Sequence, residues 1–170
     1  MSALLNYKSG NYQAFLDRSA QIISEKDGSV YIVPYDLNLY IGVSYSLRKE
    51  TDLAIESYTQ ALQADRKGVA AYTNRALAYI DQQKYDLAIK DCTTALVIDK
   101  LYTLPYNTRG IAYLALGQYK NALKDFDNVV LLDLTDPRAY HNRALAQQGL
   151  GQIDFAAADF KKEAELRAKQ

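Results

Sequence analysis

The sequence predicts an all-α solenoid of stacked antiparallel helix pairs, and two observations predict it. Residues recur every 34 positions with no insertion or deletion: Tyr72, Tyr106 and Tyr140; Arg75, Arg109 and Arg143; Ala76, Gly110 and Ala144; Ala88, Ala122 and Ala156; Asp91, Asp125 and Asp159. One interval earlier, Gly42 and Ala54 fall in the same columns, and Tyr45, Tyr79 and Tyr113 form a further one that Gln147 breaks. Within each interval the apolar spacing is helical: Tyr72, Ala76 and Tyr79 share one face, and Tyr85, Ala88, Cys92, Ala95 and Leu96 share another. Such units contact only their neighbours and stack into a solenoid.

Residues 1–34 read as a degenerate repeat that caps the N-terminal end. Ser9-Gly10-Asn11-Tyr12 has the form of a turn into a helix running to about Ser24, with Tyr12, Phe15, Ser19 and Ile22 inward. Ala3 would be its small residue, and Glu25 to Val30 a longer polar turn. Four repeats follow at 35–68, 69–102, 103–136 and 137–170, each a pair of helices. Their inner turn falls near Gln82-Gln83-Lys84 in the second repeat and at Gly117 and Gly151 in the third and fourth, where glycine tolerates positive φ. Pro34, Pro105 and Pro137 lie near repeat junctions, and Asp136-Pro137 reads as an N-cap followed by proline at the first helical position. The last helix is polar, and its Glu163 replaces the small residue seen as Ala61 and Ala95, as a solubilising end cap requires. Nine to eleven helices are expected.

Composition excludes whole classes of function. Twenty basic and 20 acidic residues give no net charge, which argues against a nucleic-acid binder. One Cys and one His leave no disulfide and no zinc site built on Cys or His pairs. No Gly-rich phosphate loop and no nucleophile elbow occur, so no cofactor and no catalysis are expected. No apolar run reaches the length of a membrane span, so direct membrane insertion is not expected. The chain as given shows no signal peptide, which makes the cytoplasm the default expectation; a piece of a longer protein would look the same.

The repeat resembles the tetratricopeptide repeat (TPR) family over residues 35–170. The family has a large residue, a small one, an aromatic, an alanine and a second aromatic at set places. The third repeat matches best, with Tyr106, Arg109-Gly110, Tyr113, Ala122 and Phe126. The others carry Ile41-Gly42, Tyr45, Ala54 and Tyr58; Tyr72, Ala76, Tyr79, Ala88 and Cys92; and Tyr140, Ala144, Ala156 and Phe160. The closing proline is replaced by Arg66, Lys100, Leu134 and Ala168. The resemblance implies a right-handed superhelix whose first helices line a concave groove that takes a peptide or helix of a protein partner.

On that implication the partner-binding residues are Leu39, Tyr40, Val43, Thr73, Asn74, Leu77, Ile80, Asn107, Ile111, Leu114, His141, Asn142 and Leu145. The set is apolar with amides and hydroxyls, and almost uncharged. One TPR subclass, the cochaperones, clamps a C-terminal carboxylate with Lys, Arg and Asn. Asn74 matches that pattern, but Leu39, Val43, Leu104 and Thr108 stand where it needs other side chains, three of them cations, so the clamp is not implied. Most of the 15 tyrosines are framework, and Cys92, in the column of Tyr58, Phe126 and Phe160, reads as a buried apolar thiol. The repeats with Arg75, Arg109 and Arg143 also carry Asp91, Asp125 and Asp159, whereas the first repeat has Ile41 and Ser57; arginine and aspartate are therefore expected to pair. The functional expectation is a monomeric interaction scaffold with a protein or peptide partner. The alternative is a structural module that self-associates weakly through the solenoid ends.

Overall fold

The computed structural model describes residues 10–24 and 35–169. Ala3, Ser9, the 25–30 turn and Pro34, singled out above, lie outside the described residues, as does the side chain of Ile22. All regular structure among the described residues is helical: α1 Tyr12–Ser24, α2 Tyr35–Leu47, α3 Thr51–Ala64, α4 Val69–Asp81, α5 Tyr85–Ile98, α6 Thr103–Ala115, α7 Tyr119–Leu132, α8 Pro137–Gly149 and α9 Ile153–Arg167. The chain divides into two compact units, residues 1–82 and 83–170. In each, consecutive helices pack on one another, giving an all-α solenoid of helix pairs.

In residues 1–82, α1 buries Phe15 and Leu16 against Ile41 of α2, with Leu37, Tyr40 and Tyr45 packed around them. Ser19 is buried and its hydroxyl donates to the Phe15 carbonyl. A second cluster joins Ala61 and Leu62 of α3 to Ala71 of α4, covered by Tyr35, Leu39 and Tyr72. In residues 83–170, Ala122 and Phe126 of α7 meet Ala146 of α8, with Ile111, Tyr113 and Leu114 of α6 around them. Val129 and Val130 pack on Ala139 and Tyr140, covered by Tyr106 and Leu166. The tyrosine columns are thus framework. The small-residue column works by close approach: a Cβ on Gly110 would come within 2.6 Å of the Phe126 ring, and one on Gly42 within 2.5 Å of Tyr58.

Each helix pair turns at a residue of positive φ. Gly117 and Gly151 take φ of 69° and 73°, and in the two earlier pairs Lys49 and Gln83 hold 62° and 59°. The turn needs the left-handed region whether or not glycine supplies it. Between pairs, Asp65, Asp99 and Asp133 recur 34 residues apart, a column the sequence reading passed over. Each carboxylate accepts the backbone N–H two residues on, from Lys67, Leu101 and Thr135, at 2.8–2.9 Å. The same aspartates stand just past the ends of α3, α5 and α7 in extended conformation, so each one stops a helix and closes a turn. At α8, Asp136 accepts from Arg138 N with Pro137 beside it, as the sequence indicated.

Candidate functional site

The arginine column is structural. Arg109 forms a two-pronged bond to Asp125, Nε to Oδ2 and Nη2 to Oδ1, both at 2.8 Å. Arg143 does the same with Asp159 at 2.7 Å. Each also reaches back to the preceding second helix, Arg109 Nη1 to Thr93 Oγ1 at 3.0 Å and Arg143 Nη1 to Asp127 at 3.2 Å. Arg75 makes the matching backward bond to Thr59 Oγ1 at 3.0 Å. The guanidiniums of Arg75, Arg109 and Arg143 lie over the rings of Tyr72, Tyr106 and Tyr140, 5.5–5.9 Å from their centres. Hydrogen bonding to Asp125 and Asp159 raises the pKa of Arg109 and Arg143 further, against the cost of burial, so both stay charged.

Cys92 is fully buried on α5, and burial lifts its thiol pKa to about 12 despite the nearby Arg109 charge. The unfolded chain releases that proton near pH 9, so between pH 9 and 12 the folded state holds more protons and stability falls as pH rises. Between pH 8 and pH 10, Cys92→Ala is expected to lose about 1 kcal/mol less stability than the parent, by urea unfolding at both values. Iodoacetamide should leave the folded thiol untouched at pH 8.

The expected groove residues divide by burial. In residues 1–82, Leu39 and Tyr40 are half-buried in the two packing clusters, Val43, Asn74 and Ile80 are half-buried, and Leu77 is exposed. Thr73 corrects the expectation: it is fully buried, and its hydroxyl donates to the Val69 carbonyl, which makes it a packing residue. In residues 83–170, Leu114 and Ile111 share the Phe126 cluster, so the apolar strip read from the sequence is partly built into the core there. Leu145 is exposed.

Four of the expected residues meet at one cavity. Asn107 and Ile111 of α6 and His141 and Asn142 of α8 line a space of about 320 Å³ with Thr103, Leu104, Val129, Asp136, Arg138 and Arg167. Asn142 Nδ2 donates to Asn107 Oδ1 at 2.8 Å. That leaves the Asn107 amide as a donor and the Asn142 carbonyl as an acceptor, with no other partner among the described residues. His141 Nδ1 bonds Glu163 at 2.8 Å, and the ring meets Phe160 edge-on at 5.6 Å. Arg167 holds the second Glu163 oxygen at 2.9 Å. Burial pushes the Glu163 pKa up, but the bonds from His141 and Arg167 outweigh it and hold it below the usual carboxylate value. Glu163 is therefore an ionic cap over His141 and not merely a polar surface residue. Of the other lining residues, Arg138 stands at the start of α8 as a charge beside the expected groove, while Arg167, at the end of α9, lies outside the first helices, where nothing in the sequence pointed.

Among the described residues no group of three or more His, Cys, Asp or Glu could hold a metal ion, and no helix is long and apolar enough to cross a membrane. Family models of the tetratricopeptide repeat match residues 69–100 and 105–136. Among solved structures, the crystal structure of MamA superposes with a TM-score of 0.87 at 21% identity, covering 99% of this chain and 96% of that one. The first TPR domain of Spaghetti (RPAP3), bound to the HSP90 peptide SRMEEVD, matches at 31% identity with a TM-score of 0.68, over 69% of this chain and 93% of that one. No curated protein sequence matches significantly.

Proposed function

The chain belongs to the tetratricopeptide repeat family, a family of protein-interaction scaffolds, and from that premise we propose that it binds a peptide or helix of a protein partner along its first-helix faces, without catalysis. In this reading the repeats run 35–68, 69–102, 103–136 and 137–170, behind an N-terminal cap. The cavity between α6 and α8 is the best-defined part of the site. One observation carries the proposal: the bonded Asn107–Asn142 pair leaves one donor and one acceptor beside an apolar wall of Leu104 and Ile111. A peptide unit offers the complementary acceptor and donor, and its neighbouring side chain can take the apolar wall. The peptide complex of the Spaghetti domain supports this reading by example.

The test is selection from a random peptide library on the immobilised full chain. Binders are expected, and Asn142→Trp, which fills the cavity, is expected to weaken them at least about tenfold without shifting the melting temperature. Leu77→Asp probes the exposed first-helix face of residues 1–82 in the same assay. Binders unaffected by either change would overturn the proposal. A second reading, self-association, is favoured by Ile153 and Phe155, which are 61% and 66% exposed on the last helix. A dimer that Phe155→Ser dissociates in sedimentation equilibrium would support it.

A further inference from the structure

We infer that Glu163 is a positioning residue: it holds the His141 ring in its Nδ1–H form, so that the α6–α8 cavity presents the Nε2 lone pair and selects an uncharged donor, a hydroxyl or a side-chain amide, in the bound segment. The inference rests on the peptide-binding reading above. The bond between His141 Nδ1 and Glu163 Oε2 is 2.8 Å long. Glu163 is held ionised, and its other oxygen accepts from Arg167 Nε at 2.9 Å. An ionised carboxylate only accepts, so the proton in the bond to His141 belongs to Nδ1. A neutral imidazole carries a single N–H, which leaves Nε2 as an acceptor.

The surroundings leave that acceptor open. The Glu163 side chain is 13% exposed and His141 44% exposed, so the Nδ1 edge of the ring is the covered one. Phe160 meets the ring edge-on at 5.6 Å, and the ring lines the cavity. Among the described residues Nε2 has no partner. The charges nearby are already balanced: Asp136 holds Arg138 at 3.0 and 3.1 Å, as Glu163 holds Arg167. An ammonium or guanidinium brought by the ligand would meet two guanidiniums and carboxylates that are already engaged, and would lose its hydration. A hydroxyl or an amide makes the same bond to Nε2 without that cost.

His141 is the one histidine of the chain, so nitrogen-15 spectra of the full chain at pH 8 read its ring without ambiguity. The Nδ1–H form should dominate, and Glu163→Ala should shift the ring toward Nε2–H. Alanine stands in the same column as Ala61 and Ala95, so the variant should fold, which circular dichroism checks. A parent ring in the Nε2–H form overturns the inference. Peptides selected on the full chain are then compared with copies that lose one donor, by Thr→Val, Tyr→Phe or Gln→Met. One such change should weaken binding about tenfold on the parent and less than about twofold on His141→Phe. Peptides that need no donor, or that lose as much on His141→Phe, overturn the inference and leave the peptide reading standing. A library that yields no binders overturns both.

Discussion

Asp125→Ala is expected to lower the stability of the protein by about 3 kcal/mol, the largest single-residue effect among the pairing positions. The Asp125 side chain is 3% exposed and Arg109 18% exposed, so the pair is shielded from water. Removing the carboxylate leaves a guanidinium in a desolvated place, with Thr93 and the face of Tyr106 to receive it. The charge cannot be relieved by deprotonation, because an arginine stays protonated throughout the accessible pH range. Asp159→Ala is expected to cost less, about 2 kcal/mol, because Asp127 remains as a second carboxylate on Arg143. The double change Arg109→Leu/Asp125→Leu should recover most of the loss, since it removes the stranded charge along with its partner. Urea unfolding followed by circular dichroism measures all three. A loss under about 1 kcal/mol for Asp125→Ala would show that the pair behaves as a surface ion pair.

Gly110→Ala is expected to destabilise by about 2 kcal/mol even though alanine is the better helix former. In an open helix the exchange would gain about 1 kcal/mol. Here the new methyl would lie 2.6 Å from the Phe126 ring, and that ring is fully buried, so the helices must separate or the ring must leave its rotamer. Phe126→Leu in the same chain should remove most of the added cost, so the double change costs less than the two single changes together, as in the Arg109–Asp125 cycle. The fourth helix pair shows the accommodation at an end: Ala144 stands in the glycine column, and Phe160 is only half-buried, with its ring edge-on to His141. If Gly110→Ala unfolds like the parent, the close approach at this column carries no energy.

The helices, their turns and the arginine–aspartate pairing were legible in the sequence because repetition displays a structural role several times over. The 34-residue spacing tied Arg109 to Asp125 before any coordinates did. The Asp65, Asp99 and Asp133 column was equally visible but was not recognised as a helix stop, and the backward contacts of the arginines to Thr59, Thr93 and Asp127 were hidden because that column changes chemistry. Thr73 shows a different limit. Its face was assigned by register alone, and register does not say that a hydroxyl will fold back onto its own helix carbonyl. Arg138 and Arg167 were visible as charges, one beside the groove register and one on the last helix, but not as neighbours at one cavity. They follow Leu104 and Asp133 by 34 residues, so each stands in a column whose chemistry changes in the last repeat, and a change of chemistry leaves no periodic trace.

The two-way reach of Arg109 and Arg143 also has a consequence for how order is lost. In residues 83–170, each arginine ties its helix forward to one neighbour and back to another, so α7 is held from both sides through Asp125 and Asp127 while α9 is held from one side through Asp159. In a linear array of such links, cooperativity is set by how many connections a helix would break on opening. Amide protons of α7 are then expected to exchange through larger openings than those of α9, which hydrogen exchange measures.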